Sequence, residues 1–298
     1  MRILVTGSNG QVGSSLVECL NSLKANSQEA IEFLALDRNE LDITNQVAVI
    51  QVVESFKPDF IINAAAHTAV DRAEEEVELS YAINRDGPKF LAEAANALGT
   101  VMLHISTDYV FPGNKEGVYT ERDKTGPLSV YGQSKLAGEQ AVIDANSKHI
   151  ILRTAWVFSE HGNNFVKTML RVGAAHKKLN VVADQFGGPT YAGDIADALI
   201  TMVMSINRVA QNHKFGVFHF AGYPHVSWCE FAKVIFELAD QTNLIQTPMI
   251  NGIAADMYPT SAKRPENSKL SCDKINAIFG ITASDWKAAL NNIELYKS

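Results

Sequence analysis

Tyr131 and Lys135 stand four residues apart in the run Tyr131-Gly132-Gln133-Ser134-Lys135. On a helix that spacing puts a phenol and an ammonium on one face. A nearby cation favours phenolate, so it is expected to bring the tyrosine pKa down from about 10 toward the working pH. Such a phenol can protonate an alkoxide formed by hydride transfer to a carbonyl. Tyr-x-x-x-Lys also recurs by chance on solvated helix faces. A second group is offered by Ser106-Thr107-Asp108-Tyr109-Val110-Phe111. Thr107 or Ser106 could hydrogen-bond a substrate carbonyl and bind it more strongly as negative charge develops. Either hydroxyl could instead only cap the next segment.

Hydride chemistry needs a donor, and the first residues suggest where one would sit. Gly7-Ser8-Asn9-Gly10-Gln11-Val12-Gly13 follows an apolar run and opens an amphipathic one. Gly7, Gly10 and Gly13 would let a pyrophosphate approach backbone N–H groups at a helix N-terminus. The spacing is Gly-x-x-Gly-x-x-Gly rather than Gly-x-Gly-x-x-Gly, and a plain tight turn would read the same way. Asp37 ends the next apolar run, where a carboxylate can accept from adenosine ribose hydroxyls. Arg38 beside it could attract a 2′-phosphate, so NADH and NADPH both stay open. Asp42, Ile43 and the small residues Ala64, Ala65 and Ala66 fall where loops meet the carboxyl edge of a parallel sheet.

Elements that hold these groups can be read from the hydrophobic pattern. Residues 2–6, 31–37, 59–64, 101–106 and 150–156 are short apolar runs that alternate with amphipathic stretches. The alternation predicts parallel βαβ units. Val12, Leu16, Cys19, Leu20 and Leu23 recur at helical spacing, and residues 47–56 predict a second helix. A third covers roughly residues 74–98 and should break or kink near Pro88. Later strands are expected at 180–183 and 217–221, and helices near 194–204 and 228–239. A polar helix should end the chain.

The 298 residues are 46% hydrophobic, enough for one large core or a large domain with a smaller one. A formal charge of −7 argues against a general nucleic-acid binder. Cys19, Cys229 and Cys272 lack metal-ligand spacing and suit a reducing compartment. With no apolar leader after Met1-Arg2 and no long apolar run, neither export nor a membrane span is expected, and the expected location is cytoplasmic. The fold class is α/β: a Rossmann-like, doubly wound parallel sheet with a smaller C-terminal substrate-binding region. The expected division gives residues 1–160, with later contributions from about 189–222, to dinucleotide binding. Residues 161–188 and 223–298 would bind substrate.

Longer stretches carry a resemblance. Beside the glycine loop there are Asn63-Ala64-Ala65-Ala66-His67-Thr68-Ala69-Val70-Asp71, residues 106–114 from Ser106 to Asn114, residues 131–139 from Tyr131 to Glu139, and Arg153-Thr154-Ala155-Trp156-Val157-Phe158. Over nearly its whole length the chain resembles the extended short-chain dehydrogenase/reductase family, in its dTDP-4-dehydrorhamnose reductase branch. The resemblance implies Thr107, Tyr131 and Lys135 as the catalytic set, with Tyr131 protonating the sugar C4 oxygen and Lys135 also holding the nicotinamide ribose. It implies that Gln11, Val12, Asp37, Asp42, Ile43, Ala66, His67 and Thr68 line an NADPH or NADH site. Thr107, Asp108, Tyr131, Trp156, Asn164 and Arg264 would meet a dTDP-linked 4-keto sugar. By itself His67 could be a core histidine, and Arg264 an exposed loop arginine or a diphosphate ligand.

Some members of that family hold Mg²⁺ between subunits through acidic residues. The matching positions here are Ser15 and Gly193, so that metal is not expected, and a homodimer stays open. A related branch serves as a non-catalytic regulatory subunit of a methionine adenosyltransferase. Epimerisation or dehydration of a nucleotide sugar is another alternative. The presence of Thr107, Tyr131 and Lys135 together favours reduction over both.

Overall fold

The structure, a computed structural model, describes residues 1–26, 30–208 and 215–297. Six short strands form one sheet: β1 (Arg2–Thr6), β2 (Glu32–Leu36), β3 (Phe60–Asn63), β4 (Val101–Thr107), β5 (His149–Thr154) and β6 (Gly216–His219). They pair in parallel in the order β6-β5-β4-β3-β1-β2. The strands are apolar on both faces because helices cover both. On one face, helices Gln11–Asn26 and Ala192–Arg208 bury Leu16, Leu20, Leu199 and Val203 against Ile3, Val5 and Leu103. On the other, helices Gln46–Phe56, Gly87–Leu98 and Val130–Ala145 bury Val53, Leu91 and Val142 against Leu4, Ile61 and Ile151.

The chain leaves β1 toward one side of the sheet and returns to its other side as β3. That reversal opens a crevice beyond the carboxyl ends of β1 and β3, where doubly wound folds bind ligands. The strands fall within two residues of the apolar runs that predict them. β5 ends at Thr154 rather than Trp156, because Trp156 has a φ of 49° and leaves the strand conformation.

The helix expected over residues 74–98 is not continuous. Short helices Val70–Ala73 and Val77–Tyr81 lead into a π-helical turn, Ala82–Asp86, and then helix Gly87–Leu98. Pro88 sits at the start of that last helix, directly after the π-helical turn that interrupts the regular hydrogen-bond ladder. The later strand Lys178–Val182 pairs with Met249–Ile253 and stays outside the main sheet.

The C-terminal end is a correction to the pattern reading. Instead of one polar helix it holds helices Asp273–Phe279 and Trp286–Leu290 and a 3-10 turn, Ile293–Tyr296. Trp286, Leu290 and Ile293 are wholly buried beside Phe158, Val166, Phe231 and Ile235. Truncating a residue such as Trp286 to alanine costs about 3–5 kcal/mol in a packed core. Ile275 joins the core of the main sheet. Among the described residues, no helix is long and apolar enough to cross a membrane.

Candidate active site

The glycine loop turns sharply after β1. Gly10 N–H donates to the Gly7 carbonyl at 3.0 Å, and the helix begins at Gln11 with no acidic residue in its first turn. Gly7 has a φ of 75°, and a Cβ there would stand 2.6 Å from Ala65 N. A Cβ on Gly13 would stand 2.0 Å from Gly7 O. Only hydrogen in place of those side chains lets this loop, its helix and the Ala64–Ala66 segment meet. The result is a helix N-terminus with small walls, fit for a pyrophosphate.

Asp37 lies beside the loop. Its Oδ2 accepts from Asn9 Nδ2 at 2.5 Å, and its Oδ1 accepts from the backbone N–H groups of Asn39 and Glu40. It is therefore a turn-forming residue as well as a carboxylate at the expected ribose end. Arg38 is exposed next to it. Asp42 caps its own turn through Thr44. Ile43 is buried against Gly87. Val12 packs on the main core, and Thr68 is exposed.

His67 is engaged on three sides. Its backbone N–H donates to Asn84 Oδ1 at 2.8 Å, its Nδ1 meets Ser80 Oγ at 2.9 Å, and its Nε2 lies 3.1 Å from Glu76. Asn84 also donates to His67 O and to Ser134 Oγ. One amide from the π-helical turn thus ties the loop after β3 to the helix bearing Tyr131. Sequence reasoning missed Asn84, whose signal is hidden inside a run that reads as ordinary helix.

Ser129 starts helix Val130–Ala145 by accepting from Gly132 N–H at 3.2 Å, and Glu74 accepts from Val130 N–H. Tyr131, Lys135 and Glu139 then follow at one-turn intervals, all buried. Thr107 lies close enough to Tyr131 to oppose the rise in its pKa, while its Oγ1 donates to Asp108 Oδ1 at 3.1 Å. The Tyr109 ring meets that of Tyr131 edge-on at 5.4 Å. Of the two candidate hydroxyls, Thr107 faces the phenol. Ser106 instead donates to Glu139 at 2.5 Å.

Lys135 Nζ donates to Ile105 O at 2.7 Å and lies 3.5 Å from His104 Nε2. Thr6 Oγ1 and Ala65 N–H both donate to Asn63 Oδ1, so Asn63 Nδ2 donates to His104 Nδ1. Burial together with Lys135 keeps the His104 ring neutral. Burial lowers the Lys135 pKa to about 8, against the opposing pull of Glu139.

The expectation that Lys135 lowers the Tyr131 pKa is not met. Burial raises Tyr131 to about 12, with Thr107 only partly offsetting it. Desolvation of the phenolate outweighs a cation directed at a backbone carbonyl. For a proton donor this is serviceable, because the phenol stays protonated. Burial also raises Asp108 to about 6, partly offset by Ser268 and Thr107.

A cleft of about 840 Å³ lies on the C-terminal side, lined in part by Phe165, Gln185, Trp228, Tyr258, Thr260 and Arg264. Arg264 pairs with Asp71 at 2.9 Å, and its charge reaches Tyr109. Trp156 stacks on Trp228 with ring centroids 3.5 Å apart. Trp228 lines the cleft and was read from sequence only as helix. Asn164 caps helix Phe165–Ala175 and donates to Gln11 Oε1 at 3.0 Å, and Ser159 donates to the same oxygen. The polar groups of Asn164 and Gln11 thus join cleft and glycine loop.

Neither Ser15 nor Gly193 offers a carboxylate. Ser15 Oγ donates to Gln11 O, and Gly193 lies under the Tyr191 ring. Among the described residues, Glu18, Glu160 and His161 bring ligand atoms within 4.8 Å of one another. His161 Nε2 lies 3.1 Å from Glu18 Oε1, and Glu160 accepts from Tyr191.

Residues 1–295 match the family model described as RmlD substrate binding domain. A dTDP-4-dehydrorhamnose reductase of Aggregatibacter actinomycetemcomitans is 51% identical, with 99% of each chain covered. The crystal structure of a dTDP-4-dehydrorhamnose reductase from Clostridium acetobutylicum superposes with a TM-score of 0.89 at 39% identity, covering 99% of each chain. That of the Bacillus anthracis dTDP-4-dehydrorhamnose reductase in complex with NADP gives 0.86 at 36% identity, covering 99% of this chain and 98% of that one. On a family match running from Met1 to residue 295 and relatives aligned end to end, the chain belongs to the RmlD substrate binding domain family, among the dTDP-4-dehydrorhamnose reductases.

Proposed function

We propose that this chain reduces the C4 keto group of dTDP-4-dehydro-L-rhamnose to give dTDP-L-rhamnose, with NADPH or NADH as reductant. The observation that carries the reading is the convergence of Thr107, Tyr131 and Lys135 beside a glycine loop shaped for a pyrophosphate. The relatives' names and the NADP complex of one of them support it.

Bound dinucleotide would supply a hydride to C4. Gly7, Gly10, Gln11, Val12 and Gly13 would hold its pyrophosphate, and Asp37 or Arg38 its adenosine ribose. Asp42, Ile43, Ala64, Ala65, Ala66, His67 and Thr68 would line the rest. Thr107 would donate to the C4 oxygen, and Tyr131 would give that oxygen its proton as charge develops. Lys135 would hold the nicotinamide ribose and favour the phenolate left behind. Asp108, Trp156 and Asn164 would orient the sugar, and Arg264 the diphosphate, with the cleft beside Trp228 accepting the nucleoside.

The division into residues 1–160 with 189–222, and 161–188 with 223–298, follows from this assignment. A cytoplasmic location suits an enzyme acting on a nucleotide sugar, and a homodimer is compatible with it. The regulatory-subunit reading draws no support from the relatives matched. Loss of nicotinamide absorbance with NADPH and NADH, on addition of dTDP-4-dehydro-L-rhamnose, tests the proposal. Turnover with either reductant is expected; folded protein that oxidises neither would overturn it.

A further inference from the structure

Behind Tyr131 and Lys135 lies an ion pair that the reaction above does not use. Glu139 and Arg153 have side chains only 2% and 5% exposed. Arg153 donates through Nε to Glu139 Oε1 at 2.9 Å and through Nη2 to Oε2 at 2.6 Å. Ser106 Oγ donates to the same Oε1 at 2.5 Å. Ser106 and Arg153 are register partners on β4 and β5, so one carboxylate fastens the helix to both strands.

A buried pair of this kind adds little net stability, because desolvation opposes the attraction, and an apolar pair could hold helix to sheet equally well. Direction and charge are what an apolar pair lacks. Ser106 immediately precedes Thr107, so the Glu139 contact fixes the strand end whose next residue meets Tyr131. The carboxylate also stands one turn from Lys135 in surroundings where charge is weakly screened.

Other groups do not substitute for it. His104 from β4 faces Lys135 as a neutral ring, and Tyr131 is a neutral phenol on the same helix. Arg153 from β5 is bound to Glu139 itself. On the segments packed against the helix, Arg85 is paired with Asp86, Lys89 with Glu93, and Glu74 receives Val130 N–H. Asp108 lies at the Tyr131 end and acts on that phenol.

We infer that Glu139, set by Arg153 and Ser106, is a positioning residue whose carboxylate keeps Lys135 an ammonium and keeps Thr107 in register with Tyr131. Its catalytic consequence rests on the reductase reading; its effect on Lys135 does not. The test follows the Lys135 titration by NMR in protein labelled at lysine Cε, with Lys135→Met to assign the signal. Native protein, Glu139→Gln and Glu139→Gln/Arg153→Met are compared, and thermal unfolding is recorded for each. The midpoint should fall by about one unit in Glu139→Gln. It should fall by less in the double variant, which leaves neither half of the Glu139–Arg153 pair without the other and so reports even if the single variant unfolds. The alkaline limb of kcat/KM should move with it. A native midpoint in the folded double variant overturns the inference whatever the activity. A shifted midpoint in protein that oxidises neither NADPH nor NADH sustains it and refutes the reductase reading instead.

Discussion

The Lys135 ammonium rests 2.7 Å from the carbonyl oxygen of Ile105, held by strand backbone rather than by the phenol one turn away. Its remaining N–H groups are therefore aimed by the strand before any ligand arrives. Lys135→Met keeps the bulk and removes those donors. Turnover should fall by about 10²–10⁴-fold, with the fold retained by circular dichroism. A variant that keeps native kcat would remove Lys135 from the mechanism.

Tyr131, raised to about 12, should hold its proton throughout an ordinary assay range, whereas Lys135, lowered to about 8, should not. Activity is expected to be level at neutral pH and to decline as pH rises through about 8. Tyr131→Phe should abolish turnover while NADPH still binds. A fluorescence titration of the cofactor alongside the rate assay separates the two effects.

Asp108 links the site to stability. Its folded pKa, about 6, lies above its ordinary 3.8, so the proton is favoured by the fold. That contribution is complete below the ordinary value and is lost as pH rises through about 6. At pH 7.5 the buried carboxylate costs about 3 kcal/mol, at roughly 1.36 kcal/mol per unit. Asp108→Asn should therefore melt higher than native protein at pH 7.5. Calorimetry at pH 4 should find the advantage nearly gone; an advantage that does not depend on pH would contradict the assignment.

Gly138 lets the catalytic helix touch the π-helical turn: a Cβ there would stand 1.9 Å from Asn84 O. Gly138→Ala must push helix and turn apart, at about 1–3 kcal/mol. Turnover should drop with it, because Asn84 joins the His67 loop to Ser134. Denaturant unfolding and the rate assay together check this, and unchanged values in both would refute it.

Asp37→Asn removes the negative charge at the expected ribose end while Arg38 stays. The ratio of kcat/KM for NADPH over NADH should rise about tenfold, the scale of one charge-assisted hydrogen bond. A fixed ratio would place the choice of reductant elsewhere.

Most of the main sheet was legible because a strand buried on both faces is a continuous apolar run bounded by turn residues. Tyr131 and Lys135 were legible because helical spacing is local. Asn84, Trp228 and the Glu139–Arg153 pair were not, since each gains meaning only from partners 14 to 72 residues away. Glu139 could have been suspected from its place eight residues after Tyr131, on the same helix face. The opposite sign for Tyr131 has a similar origin: burial is a property of the assembled fold, and no short motif reports it. At the C-terminus, Trp286, Leu290, Ile293 and Tyr296 sit among polar neighbours that mask their shared core.

Gln11 presents one carbonyl oxygen to both Ser159 and Asn164, so a residue of the glycine loop also anchors the start of helix Phe165–Ala175. Remodelling residues 159–165 to admit a different sugar would disturb the purchase on the dinucleotide, and the reverse holds too. Anyone redesigning the enzyme for a new nucleotide sugar has to vary Gln11, Ser159 and Asn164 as a set, because swapping either half alone severs the seam between them.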